Sequence, residues 1–256
     1  MNKKPGSTSK KMNSLKVDAM SSELKKTNEK GRLGKFPIVG IGASAGGLEA
    51  LELFFKSVPQ ECDMAFVIVQ HLDPTHKGMM VELLQRSTSL KVVQVLDRTP
   101  VKSNCVYIIP PNKDMSILHG VLHLLDIVEH HGLRLPIDFF FRSLADDERE
   151  NSIGVILSGM GSDGTLGLRA IKEKAGIVFV QDPSEAKFDS MPNSAISAGL
   201  ADVVAKVEEL PEKILTHSRY SPRIMKYEIP QDLKTTSSLE KILILLRSKT
   251  GHDFSL

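Results

Sequence analysis

The sequence predicts an α/β fold: a doubly wound, mostly parallel sheet with helices on both faces and a small antiparallel hairpin excursion. Three observations carry that prediction. Short apolar, β-branched runs alternate with segments of helical period. The runs are continuously apolar, as strands covered on both faces are. Two of them end in glycine-rich turns that lead straight into helices.

Taken in order, order begins at Phe36, and Pro37–Gly42 reads as a strand feeding a turn. Gly47–Val58 follows as a helix, with Leu48, Leu51, Phe54 and Phe55 at helical spacing. Ala65–Gln70 is a buried-type strand, Lys77–Ser87 a helix and Lys91–Val95 another strand. The alternation then breaks. Val106–Ile109, Met115–Leu118 and Val121–Leu125 are short runs, and His119-Gly120 between the last two signals a hairpin. Pro136–Asp146 is helical, with proline in the first turn and an apolar face of Ile137, Phe140, Phe141 and Leu144. Ile153–Leu157 is a strand, Thr165–Ala175 a helix stopped by Gly176, Ile177–Gln181 a strand and Asn193–Ala198 a short helix.

The ends of the chain differ from this body. Residues 1–35 carry ten Lys/Arg and three acids, +7, which leaves −5 for the rest of a chain whose net charge is +2. They are too polar to build a core and are expected to form a disordered basic arm. Residues 36–217 are the expected catalytic domain and 218–238, with Pro222, Pro230 and a Thr/Ser run, a linker. In 239–256, Leu239, Ile242, Leu243 and Leu246 sit at i, i+3, i+4 and i+7, the opening helix of a following domain.

Composition removes several function classes. Apolar runs such as Ala65–Val69 and Ile242–Leu246 are about five residues long, far below the ~20 of a spanning helix, so no membrane insertion is expected. Two cysteines, Cys62 and Cys105, make no disulfide framework, and no signal peptide follows the MNKK start, which points to the cytoplasm. An acidic body without Trp and with 5% aromatics is a poor nucleic-acid surface. His119, His123, His130 and His131 complete no Cys or carboxylate spacing for zinc, so neither a metal nor a cofactor is expected.

The first glycine turn, Gly40-Ile41-Gly42-Ala43-Ser44-Ala45-Gly46-Gly47, fits three descriptions. Gly40-x-Gly42-x-x-Ala45 is a dinucleotide fingerprint. Gly42-x-Ser44-x-Gly46 is a nucleophile elbow. A turn in which Ser44 merely caps the next helix is the third. A dinucleotide site wants an acid at the end of the second strand, but that strand ends in Gln70-His71 and Asp73 lies further on. A histidine there suits a serine nucleophile. The second glycine turn, Ser158–Gly164, adds Asp163 at a third strand end, where capping the following helix is its alternative role.

The chemistry explains the residue types. A serine hydroxyl needs a base to remove its proton. A neutral imidazole does so near pH 7 and returns the proton to the leaving alkoxide. A carboxylate fixes the imidazole tautomer and stabilises the imidazolium. The Ala45 and Gly46 amides at the helix start are placed to receive an oxyanion. The chain order Ser44, His71, Asp163 differs from the Ser…Asp…His order of the α/β-hydrolases.

From about Phe36 to Val204 the sequence resembles the catalytic domain of the chemotaxis protein-glutamate methylesterases, the CheB family. The matching segments are VGIGASAGGLEAL (Val39–Leu51), VIVQHL (Val67–Leu72), VYIIPPNKDM (Val106–Met115), FFRSLA (Phe140–Ala145), GVILSGMGSDGTLGL (Gly154–Leu168) and QD…MPNSAI (Gln181–Ile196). The resemblance implies a triad of Ser44, His71 and Asp163, with Met160 beside it. It implies hydrolysis of γ-glutamyl methyl esters on chemoreceptor cytoplasmic helices with release of methanol, and deamidation of receptor glutamines. Two departures stand out. Ala45 replaces the threonine frequent after the serine, and residues 1–35 are too short and polar for the receiver domain that usual members carry. Lys241–Leu256 resembles the opening of a receptor methyltransferase domain, so an esterase–transferase fusion is expected. The alternative is a non-catalytic docking module of the same fold.

Overall fold

The computed structural model describes residues 36–70, 79–126 and 135–220. The expected basic arm, linker and C-terminal helix, together with His71, lie outside them. The elements are β1 (Ile38–Ala43), α1 (Gly47–Lys56), β2 (Ala65–Gln70), α2 (Met79–Ser87), β3 (Lys91–Gln94), β4 (Thr99–Pro100), β5 (Cys105–Ile108), β6 (Lys113–Leu118), β7 (Val121–Asp126), α3 (Pro136–Glu148), β8 (Ile153–Ile156), α4 (Thr165–Glu173), β9 (Ile177–Gln181), α5 (Ser190–Ser197), β10 (Val203–Ala205) and α6 (Leu210–Tyr220).

Seven strands form one sheet in the order β10-β9-β8-β1-β2-β5-β3, and every pairing in it is parallel. The chain starts at the centre in β1, steps to β2, crosses to the edge at β3 and comes back to place β5 between β2 and β3. It then returns to the other side of β1 for β8, β9 and β10. The strand order therefore reverses between β1 and β8, the place where open α/β sheets bind ligands beyond their strand ends. The predicted hairpin is β6–β7, and two-residue β4 joins β7 to make a three-stranded antiparallel sheet.

Successive strand residues feed two cores. Val39, Ile41, Phe66, Ile68 and Val155 pack with Leu51, Phe54 and Phe55 of α1, Leu84 of α2 and Ile214 of α6. Ala65, Val67, Val69, Val178 and Val180 pack on the opposite face with Ile137, Phe140 and Phe141 of α3, Leu168 of α4 and Met191 of α5. The second core continues into the small sheet through Met115, Ile117 and Leu122. The hairpin is also held polar-wise: the Ile117 amide donates to Ser143 Oγ, and the His119 and Gly120 amides donate to the Asp147 carboxylate at 2.6 and 2.9 Å.

β1 explains two of its glycines through this packing. A Cβ on Gly40 would lie 2.8 Å from Leu144 Cδ2, and one on Gly42 would lie 2.5 Å from Ile137 Cγ2. Both glycines face α3, so the helix lies directly on the β1 backbone. The G-x-G spacing is accounted for by helix packing, with no need of a pyrophosphate.

Several extents differ from expectation. α5 begins at Ser190, three residues before the apolar signal, and β10 and α6 have no counterpart in the periodicity. β10 is three residues long and only one is buried, so its pattern is too short to register.

One contribution to the pH dependence of stability comes from α6. His217 of α6 meets Phe179 edge-on, ring centroids 6.3 Å apart. Burial pushes its imidazole below the ordinary 6.5, and Asp202 opposes that shift. The unfolded chain then binds the extra proton more readily, so this contribution is present above pH 6.5 and is lost as pH falls below it. A His217→Gln variant is expected to show a shallower fall in Tm between pH 7.5 and 5 than the parent, read by thermal melts across that range.

Candidate active site

The site builds up from strand register. Ala43 pairs with Gln70 on one side of β1, and Gly42 with Ile156 on the other. The ends of β8, β1 and β2 are thus level and adjacent. Ser44 follows β1, the turn 158–164 follows β8 one residue on, and Gln70 closes β2 just before His71. Ser44 and the second glycine turn meet directly: a Cβ on Gly159 would lie 3.0 Å from Ser44 Cβ. The Ser44 amide donates to the Ser158 carbonyl at 3.0 Å, across the point where strand order reverses.

Backbone bonds fix the nucleophile turn. The Ser44 carbonyl accepts from the Gly47 amide at 2.9 Å and from Gln70 Nε2 at 3.3 Å. The residue with positive φ is Gly46, at 70°, and not Ser44. The turn therefore differs from a strained elbow centred on its serine. It is a left-handed step at the start of α1, and Ser44 lies between the end of β1 and that step. Gly46 also has no room for a side chain, since a Cβ there would lie 2.8 Å from Ser158 Oγ. Neither the Ala45 nor the Gly46 amide has a hydrogen-bond partner among the described residues. Both sit at a helix N-terminus, where the dipole favours negative charge.

Asp163 is 4% exposed and caps a helix, but not the one that follows it. Its carboxylate accepts from the Ile137 amide at 3.1 Å and the Asp138 amide at 3.0 Å, both in the first turn of α3. α4, the helix after Asp163, has Gly164 with φ 97° as its N-cap and no side-chain cap. Its first turn is served from α3 instead: the buried Asp138 carboxylate accepts from the Gly167 amide at 2.7 Å. Two helix N-termini have exchanged carboxylates. Proline at the first position of α3 has no N–H, so the first available amides are those that Asp163 takes.

Met160 stands at the tip of the second turn, 61% exposed. Its flanks are clamped. The Gly159 amide donates to the Phe188 carbonyl at 2.9 Å, its carbonyl accepts from the Met191 amide at 3.0 Å, and Ser194 Oγ donates to the Gly161 carbonyl at 3.3 Å. The Met160 amide has no partner among the described residues.

Of the sequence-predicted residues, Ser44, Ala45, Gly46, Met160 and Asp163 lie on the two turns that meet beyond β1 and β8. His71 is outside the described residues. Sequence reasoning missed four polar residues that hold this edge: Gln70, Asp138, Ser158 and Gln181. Asp138 had a usable signal, an acid in the first turn of a helix whose other inward residues are apolar. Removing it should tell: Asp138→Ala leaves the buried Gly167 amide without an acceptor, an expected loss of about 1–3 kcal/mol, read as a lower urea midpoint at unchanged m-value.

Comparison with known proteins agrees on the family. The CheB methylesterase family model matches residues 39–214. A Leptospira interrogans protein, provisionally named a protein-glutamate methylesterase/protein-glutamine glutaminase, is 34% identical over 178 residues, 69% of this chain and 92% of that protein. The protein-glutamate methylesterase/protein-glutamine glutaminase of Trichodesmium erythraeum is 31% identical over 201 residues, 77% of this chain but 57% of that longer protein. The crystal structure of the Thermotoga maritima CheB methylesterase catalytic domain superposes with a TM-score of 0.66 at 31% identity, covering 71% of this chain and 98% of that one.

Proposed function

The chain belongs to the CheB methylesterase family, and we propose that it is a serine-dependent protein-glutamate methylesterase that also deamidates glutamine. The substrate in this reading is the γ-methyl ester of glutamate on chemoreceptor cytoplasmic helices. The observation that carries it is the meeting of Ser44 with the Asp163 turn at the reversal of strand order, beside helix-start amides that have no other partner among the described residues.

In this reading Ser44 Oγ attacks the ester carbonyl while His71 takes the hydroxyl proton. The carbonyl oxygen becomes an oxyanion and is met by the amides of Ala45, Gly46 and Met160. The tetrahedral adduct collapses, the C–O bond to methoxide breaks, and the His71 imidazolium returns the proton to give methanol. Water then attacks the γ-glutamyl ester of Ser44, with His71 again as base, and releases the glutamate carboxylate. A glutamine side chain enters the same acyl-enzyme with ammonia as the leaving group, so one site serves both reactions. Asp163 holds the imidazole in its tautomer. The hydrogen bonds it accepts from α3 keep its carboxylate from rotating away.

The body of residues 36–217 is the catalytic module in this reading, with a fused methyltransferase domain as a proposed neighbour. Hydrolysis of a methylated receptor helix in this reading needs no metal or cofactor, because ester, serine, base and water balance the reaction.

Methanol release from methylated chemoreceptor cytoplasmic fragments tests the proposal. Ser44→Ala is expected to lose release altogether, and Asp163→Asn to lose about 10⁴-fold in kcat, by the serine-protease precedent. Equal release by Ser44→Ala and the parent would overturn the nucleophile assignment, and no release from either would leave a docking module as the better description.

A further inference from the structure

Ser158 is 1% exposed and lies at the reversal of strand order. Nothing in the triad chemistry uses it, yet all its polar atoms are committed. Its amide donates to Gln181 Oε1 at 2.8 Å. Its carbonyl accepts from the Ser44 amide at 3.0 Å. Its hydroxyl donates to the Ala45 carbonyl at 2.9 Å and accepts from the Phe188 amide at 3.0 Å. One residue thus ties β8 to the end of β9, to the nucleophile turn and to the loop before α5.

The bond to Ala45 has a directional consequence. A trans peptide is planar, with its C=O and the next N–H pointing in opposite directions. Turning the Ala45 carbonyl inward onto Ser158 Oγ turns the Gly46 N–H to the opposite side. The preceding peptide is set in the same manner. The Ser44 carbonyl is held by Gln70 Nε2 and the Gly47 amide, which aims the Ala45 N–H away from them. A hydroxyl suits this position because it must donate to one carbonyl and accept from one amide at once. An apolar side chain would leave the Ala45 carbonyl and the Phe188 amide facing a gap.

We propose that Ser158 is a positioning residue for the oxyanion site: its hydroxyl orients the Ala45–Gly46 peptide so that the amides of the nucleophile turn face the developing charge. This rests on the esterase reading above. The role differs from general packing in what it controls. A displaced peptide weakens contact with the transition state while leaving the substrate helix bound as before.

The test compares Ser158→Ala, Ser158→Thr and Ser158→Cys with the parent and Ser44→Ala in the full chain, using kcat and KM for methanol release from the methylated receptor fragment. Ser158→Ala is expected to lose kcat by about 10- to 100-fold, less than the 10²–10³ that deleting an oxyanion donor costs, with KM within about twofold. Ser158→Thr, which keeps the hydroxyl, should restore most of kcat, and Ser158→Cys should fall between. Should Ser158→Ala fail to fold, the Cys and Thr pair decides. Parental kcat in Ser158→Cys would then overturn the role. So would parental kcat in a folded Ser158→Ala, a loss expressed mainly in KM, or an equal loss in Ser158→Thr. Release that survives in Ser44→Ala would overturn the esterase reading and this inference with it. Release that depends on Ser44 but not on Ser158 would overturn the inference alone.

Discussion

The bare backbone of β1 is the constraint on which the site rests. Gly40 and Gly42 present no side chains to α3, so Ile137, Phe141 and Leu144 lie against the strand itself. That approach sets the height of α3 over the sheet and brings its first turn to the strand ends. A larger residue at either glycine would push the helix outward and carry the Ile137 and Asp138 amides away from Asp163. Overpacking of this kind typically costs 1–3 kcal/mol in a close-packed interior. Here it would also displace the carboxylate of the proposed triad.

The exchange of carboxylates between α3 and α4 follows from that geometry. Two helix N-termini converge near one strand end, and each bears orphan amides and partial positive charge. Asp163 meets the amides of α3, and Asp138 meets an amide of α4. Each net hydrogen bond is worth only about 0.5–1.5 kcal/mol, whereas a buried amide left unmet costs about 1–3. The arrangement is therefore best understood as avoidance of a penalty. Its by-product is an aspartate fixed in place before any substrate arrives. Capping and catalysis, posed as alternatives for Asp163 by the sequence, are compatible in one carboxylate with two oxygens.

Much of the architecture was legible because its signals are local. Continuous apolar runs such as Ala65–Val69 mark strands covered on both faces, and His119-Gly120 marks the hairpin tip. The same logic put Ser44 and Asp163 at one sheet edge, since residues just past parallel strands share it. The meaning of Gly40 and Gly42 was not legible: a dinucleotide turn and a helix seat use the same residues, and only the partner, far along the chain, separates them. Which helix Asp163 would cap in its alternative role was not legible either: sequence distance favours α4, whereas the Ile137 amide lies 3.1 Å from its carboxylate. Ser158 and Gln181 were invisible for a similar reason. Their side chains answer backbone groups on other elements, and no periodicity records that. The edge strand β10 and helix α6 escaped because the first is too short and the second too polar to pattern.

Ser44, the proposed nucleophile, stands where the strand order reverses, and His71, the proposed base, follows β2 in sequence. Reaction with a fluorophosphonate followed by peptide mass spectrometry tests that placement most directly. The account predicts a single adduct, on Ser44, that is absent when His71 is replaced by alanine. An adduct on another residue, or none from a chain that still releases methanol, would contradict it.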